Sequence, residues 1–177
     1  MDFSQDHFAL FGLPRRYALD AEHLGRLYRE VQAQVHPDKH AHLSDGERRL
    51  AMQWTTRINE AYQVLRLPLS RAKYLLALEG IDVDAGREMA REFLLQQLER
   101  REAVAEASAA ADVERLEGLH AQLQSDLARE YAQLATAMAC DRQADPQASA
   151  AVKQLRQLMF LEKLLADIDD ALAAAEA

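Results

Sequence analysis

Cysteine is all but missing from this chain: Cys140 stands alone among 177 residues. No intramolecular disulfide can form, and neither a CxxC pair nor a four-cysteine zinc site is available. Glycine and proline are also scarce, at six and four residues, too few for the turns that a β-sandwich or barrel needs. No stretch approaches the roughly 20 apolar residues of a membrane span. The opening Met1-Asp2-Phe3-Ser4-Gln5-Asp6 has neither the basic nor the apolar region of a secretion signal. A Gly-rich phosphate loop, a GxSxG elbow and an HExxH pair are likewise missing. These absences predict a cytoplasmic protein with no membrane partner and no cofactor, and one that is not an enzyme.

What is present is helix-forming. Ala, Leu, Glu, Gln and Arg dominate a composition that is 49% hydrophobic and 28% charged, which predicts an all-α protein with a packed core. The net charge of -8 is unevenly spread: residues 1–80 carry 11 basic and 10 acidic side chains, residues 81–177 carry 10 and 19. An acidic second half argues against nucleic acid or an anionic membrane as its partner and favours another protein.

Periodicity divides the chain further. Leu24, Leu27, Tyr28, Val31 and Val35 predict an amphipathic helix from Asp20, its N-cap, to Val35, where Pro37 stops it. Ser44 and Glu47 have capping-box spacing ahead of a helix carrying Leu50, Trp54, Ile58, Ala61, Tyr62 and Leu65, ended by Pro68. The pair reads as an antiparallel hairpin, with a short helix or turn over Phe8–Pro14 before it and a helix N-capped by Ser70 after it. Gly80 to Gly86 has the composition of a boundary, giving domains at 1–78 and 87–177 around a linker at 79–86. Beyond it, helices are expected near 85–108, 111–139 and 146–175, the last started by Asp145-Pro146. Val113, Leu116, Leu119, Leu123, Leu127, Tyr131, Leu134 and Met138 fall on one stripe of the middle helix, so the three should pack as a bundle.

The loop between the hairpin helices carries His36-Pro37-Asp38-Lys39. By average usage, His-Pro-Asp would arise by chance in about one chain of this length in a hundred. Its context is Tyr28-Arg29 before it, then Ile58-Asn59-Glu60-Ala61-Tyr62 and Arg71-Ala72-x-Tyr74-Leu75-Leu76 after it. This arrangement resembles the J domain, whose HPD loop engages a DnaK-class chaperone and stimulates its ATP hydrolysis. An imidazole and a carboxylate on a proline-stiffened bend lose little entropy on docking and can make charge-assisted contacts. The resemblance places Arg26 and Arg29 on the basic face of the preceding helix, where Glu30 and Gln34 stand in place of further cations.

With Phe8-x-Leu10-Phe11-Gly12-Leu13-Pro14, an acidic helical second half and the run Phe93–Glu102, nearly the whole chain looks like the iron-sulfur co-chaperone family HscB. That likeness implies an L-shaped molecule whose J domain recruits the chaperone HscA while the C-terminal bundle holds the scaffold protein IscU. Chaperone hydrolysis then promotes cluster release, and the co-chaperone itself binds no cluster.

The residues supply a candidate for the second contact. On the helix near 85–108, Met89, Phe93 and Val104 share one side and Leu94, Leu95 and Leu98 lie 100–200° further round, by about 100° per residue. One stripe cannot contain both, and the nearby Gln97 and Arg100 leave the buried side undecided. In the last helix Leu158, Leu161, Leu165, Ile168 and Leu172 define a stripe from which Phe160 points away. Leucines at helical spacing fit a core as readily as a surface; the family resemblance assigns Leu94, Leu95, Leu98, Glu99, Glu102 and Phe160 to the scaffold contact. The rival is a general J protein presenting unfolded polypeptides, normally marked by a Gly/Phe-rich linker or cysteine-rich zinc modules, neither of which occurs here. A purely structural adaptor is a third reading. His36, Asp38, His40 and His42 have no spacing that fixes a metal tetrahedron.

Overall fold

A computed structural model describes residues 3–35, 44–84, 89–139 and 150–175. Among these residues all regular structure is helical, in seven helices. They cluster into two compact units, Met1–Leu78 and Glu79–Ala177. No helix among the described residues is long and apolar enough to cross a membrane.

In the first unit, Asp6 caps α1 (His7–Leu10), accepting the Ala9 N–H at 2.9 Å. The His7 ring stacks on Tyr74, 4.3 Å between centroids, and burial holds its imidazole below the ordinary histidine pKa. Asp20 caps α2 (Ala21–Val35) by accepting from the Glu22 and His23 N–H groups. The Ser44–Glu47 capping box opens α3 (Asp45–Arg66). Tyr28 stacks on Tyr62 at 4.1 Å and donates to Asn59 Oδ1 at 2.9 Å, clamping α2 to α3. Residues that carried the family resemblance thus hold the hairpin closed. Phe8, Leu24, Ile58, Leu65 and Leu76 form the fully buried centre.

Two expectations for this unit change. Leu50 is exposed and Ala51 takes its place, because the inward residues Ala51, Trp54, Ile58, Ala61 and Leu65 keep one register of alternating three- and four-residue steps. Ser70 is not a cap. Leu67 is extended (φ -86°, ψ 122°), as the residue before a proline prefers, and Pro68 is the first residue of α4 (Pro68–Leu78). Arg71, buried in α4, donates Nη1 to the Leu65 carbonyl at 2.7 Å and covers the Tyr17 ring at 5.1 Å.

The second unit is built on α5 (Arg91–Ala109), α6 (Val113–Ala139) and α7 (Ala150–Ala175). α5 begins later than its expected start near 85. Ala90 is extended and offers no side-chain cap. Upstream, Ile81 and Val83 are buried and the Val83 carbonyl accepts Arg156 Nε of α7 at 2.8 Å, so this stretch is docked before the helix starts. Met89 is therefore not part of an α5 stripe. Leu116, Leu123, Leu127, Leu134 and Met138 form the buried stripe of α6. On α7 the buried set is Ala151, Val152, Leu155, Leu158, Leu161, Leu164 and Ile168; Leu165 and Leu172, expected inside, are only half-buried. Leu164 continues the three-residue steps that run from Val152 through Leu155, Leu158 and Leu161, and Ile168 follows four residues on. The expected Asp145-Pro146 start lies outside the described residues, as does Cys140.

Candidate functional site

The site on the second unit follows from the rotation of α5. Phe93, Gln97, Arg100, Val104 and Ala107 are spaced by four, three, four and three residues, and they face the bundle: Gln97, Val104 and Ala107 are buried, Phe93 and Arg100 half-buried. Val104 meets Leu119, Leu123, Leu164 and Ile168 around one small cavity between the helices. The opposite consequence falls on the leucines. Leu94, Leu95 and Leu98 are 47%, 50% and 54% exposed, and Glu99 and Glu102 are exposed beside them.

Phe160 joins this surface from α7, 39% exposed. It is not loose: its ring meets Phe93 edge-on, with centroids 6.3 Å apart and planes at 82°. Phe93 thus sits under the patch as a support, a role its place on the inner stripe did not advertise. Leu94 and Phe160 also line a cavity of about 420 Å³ with Val83, Met89, Met159, Arg156 and Asp84. Four exposed apolar side chains on two adjacent helices, with a carboxylate rim, are a surface suited to a protein partner. The two-sided distribution of leucines signalled the patch, but the choice of side rests on contacts between helices distant in sequence. One such contact is the Arg100–Asp126 ion pair from α5 to α6.

In the first unit, Arg26 and Arg29 are exposed on α2, opposite buried Leu24. Arg26 Nη2 lies 3.4 Å from His23 Nδ1. His36, Pro37, Asp38 and Lys39 lie outside the described residues, and so do His40 and His42. The clamp formed by Tyr28, Asn59 and Tyr62, and the capping box at Ser44, organise the helices on either side of them. Among the described residues no group of three or more His, Cys, Asp or Glu is arranged to hold a metal ion.

A relative from an Azoarcus species, "Co-chaperone protein HscB homolog", is 49% identical over 178 residues, covering 99% of this chain and 98% of its own. This chain belongs to the HscB co-chaperone family. A family model for the "HSCB C-terminal oligomerisation domain" matches residues 89–169, which contain α5, α6 and most of α7. Chaperone HscB from Vibrio cholerae has a closely similar structure, with a TM-score of 0.81 at 34% identity over 97% of this chain and 99% of that one. Human co-chaperone protein HscB gives a TM-score of 0.84 at 27% identity, covering 96% of this chain and 83% of the human one. The HscB fold of a J domain followed by a C-terminal helical domain is accordingly the fold of this chain.

Proposed function

We propose that this chain stimulates the ATPase of a DnaK-class chaperone of the HscA type and delivers to it the iron-sulfur scaffold protein, IscU. In this reading His36, Pro37 and Asp38 make the chaperone contact, with Lys39, Arg26 and Arg29 supplying positive charge around it. Leu94, Leu95, Leu98 and Phe160 bury against the folded scaffold, and Glu99 and Glu102 meet cations at its rim. The single observation that carries the reading is the exposure of those four apolar side chains on α5 and α7. Holding both partners on one chain raises the local concentration of scaffold at the chaperone's substrate site. The co-chaperone turns over nothing itself; it times the hydrolysis of its partner, and the trapped scaffold then passes its cluster to acceptor proteins.

The alternative, a general J protein for unfolded polypeptides, makes the opposite demand on the same surface. Calorimetric titration of the full chain separates the two, using folded scaffold in one arm and a reduced, alkylated unfolded polypeptide in the other. Scaffold should bind and the unfolded chain should not. The combined variant Leu94→Ala, Leu98→Ala and Phe160→Ala should weaken scaffold binding roughly a hundredfold or more, since truncating central apolar anchors has the largest effects in an interface. Wild-type affinity in the variant, or tighter binding of the unfolded polypeptide, overturns the reading.

A further inference from the structure

Apolar burial does not by itself decide which side of α5 faces the bundle. The inner side offers Phe93, Val104 and Ala107 but also buries Gln97 and half-buries Arg100; the outer side offers three leucines. At about 100° per residue the two sets are centred roughly 150° apart. A turn of that size would bury three leucines in place of one phenylalanine, one valine and one alanine, and would carry the exposed Arg91 and Glu102 inward with them. Charged side chains on both faces, and not leucine burial alone, therefore bear on which way the helix turns.

The other side of the contact adds charges of its own. α6 turns two carboxylates into the groove between the helices, with the side chains of Asp126 and Glu130 only 14% and 17% exposed. Glu130 is met by Gln154 of α7 and by Arg129, and Asp126 forms ion pairs with Arg129, at 2.9 Å, and with Arg100. Arg129 lies three residues from Asp126 on the same helix, so its contact is made whichever way α5 faces. Arg100 is different: it comes from α5 and reaches Asp126 only in the observed rotation. Gln97 lines the same cleft, a space of about 300 Å³ walled by Phe93 and Leu161 as well as by Arg100, Asp126 and Glu130. Rotated, α5 would lay a leucine against a poorly hydrated carboxylate and withdraw its interhelical donor.

We infer that Arg100 is a positioning residue: its ion pair with Asp126 selects the rotation of α5 that keeps Leu94, Leu95 and Leu98 outward for the partner. Partly buried ion pairs add little net stability but can choose between packings of similar energy. The functional half of this inference rests on the reading that the outer leucines take the scaffold; the rotational half does not.

The experiment reads both halves separately in the full chain carrying Cys140→Ser. A single reporter thiol is placed outward by Leu98→Cys or inward by Val104→Cys, and its alkylation rate is followed. With Arg100 intact, the outward thiol should react at least about a hundredfold faster than the inward one, whose reaction requires local opening. Arg100→Glu, which faces Asp126 and Glu130 with a third carboxylate, should slow labelling at 98, quicken it at 104 and shrink the ratio tenfold or more. Adding Asp126→Arg should restore the ratio. Loss of stability alone would quicken labelling at 104 but could not protect position 98. Arg100→Gln, a milder change, should move the ratio the same way by a smaller factor and serves if Arg100→Glu does not fold. Scaffold affinity, measured without reporters, should fall and recover with the ratio. A ratio unmoved by Arg100→Glu and Arg100→Gln, or not recovered by the charge exchange, overturns the positioning role. A ratio that moves and recovers while scaffold affinity stays constant upholds it and overturns the scaffold reading instead.

Discussion

Residue by residue, two helix ends show how local chemistry decides stability here. Gly80, after α4, sits at φ +79°, and Ala111, after α5, at φ +49°. At the second end the Asp112 N–H donates to the Ala107 carbonyl at 2.9 Å, the long-range bond of a Schellman turn, whose left-handed position favours glycine. Left-handed backbone costs about 1–2 kcal/mol for a residue with a Cβ, so the two positions should respond in opposite directions. Gly80→Ala should lower stability by about 1 kcal/mol, and Ala111→Gly should raise it by about 0.5–1 kcal/mol once the extra unfolded-state freedom of glycine is set against the relieved strain. Thermal melts of the full chain check both signs. Gly80 was legible in the sequence as part of a boundary, whereas nothing about Ala111 announces a left-handed residue. Leu50 and Ala51 carry the same lesson: the larger apolar side chain looked like core, but register put the alanine inside.

Among the elements, legibility tracked how cleanly apolar and polar residues separate around each helix. α6 could be read because its apolar residues keep to one side, buried at Leu116, Leu123, Leu127, Leu134 and Met138 and half-buried at Val113, Leu119 and Tyr131. α5 could not, because Gln97 and Arg100 occupy its inner face while leucines occupy its outer one. Arg100 there pairs with a carboxylate on another helix, 26 residues away in sequence. The start of α4 was misread because Pro68 serves both as the stop of one helix and as the first residue of the next. Fully burying a leucine contributes about 1.5–3 kcal/mol, so three leucines near half exposure leave several kcal/mol of burial for a partner to collect. If they belong to an interface and not to the core, Leu94→Ala with Leu98→Ala should lower stability by only about 1–1.5 kcal/mol for the two together, the share of their half-buried area. Leu134→Ala, at a fully buried site on α6, should lose about 2–5 kcal/mol. Denaturant unfolding of the two variants makes the comparison, and a large loss in the α5 variant would place its leucines in the core.

For the whole molecule, the division of labour we propose follows the division of the chain. The sequence is close to neutral through residue 80 and strongly acidic beyond it, and the structure gathers the two regions into separate compact units. Exposed Arg26 and Arg29 are in the first, and the apolar patch with its acidic rim is in the second. Family and fold were legible because motifs and helical periodicity extend over nearly the full length, and membership in the HscB co-chaperones agrees with both. The proposed linkage of two contacts through one chain has a direct consequence: each should be removable without the other, yet full activity should need both. The decisive measurement is ATP turnover by the cognate DnaK-class chaperone with this protein, with the scaffold, and with the two together. It compares wild type with Asp38→Asn and with the combined Leu94→Ala, Leu98→Ala and Phe160→Ala variant. Wild type should stimulate weakly alone and synergistically with scaffold; Asp38→Asn should lose both effects while staying folded, and the combined variant should lose only the synergy. Stimulation indifferent to scaffold, or synergy undiminished in the combined variant, would contradict delivery through the α5–α7 surface.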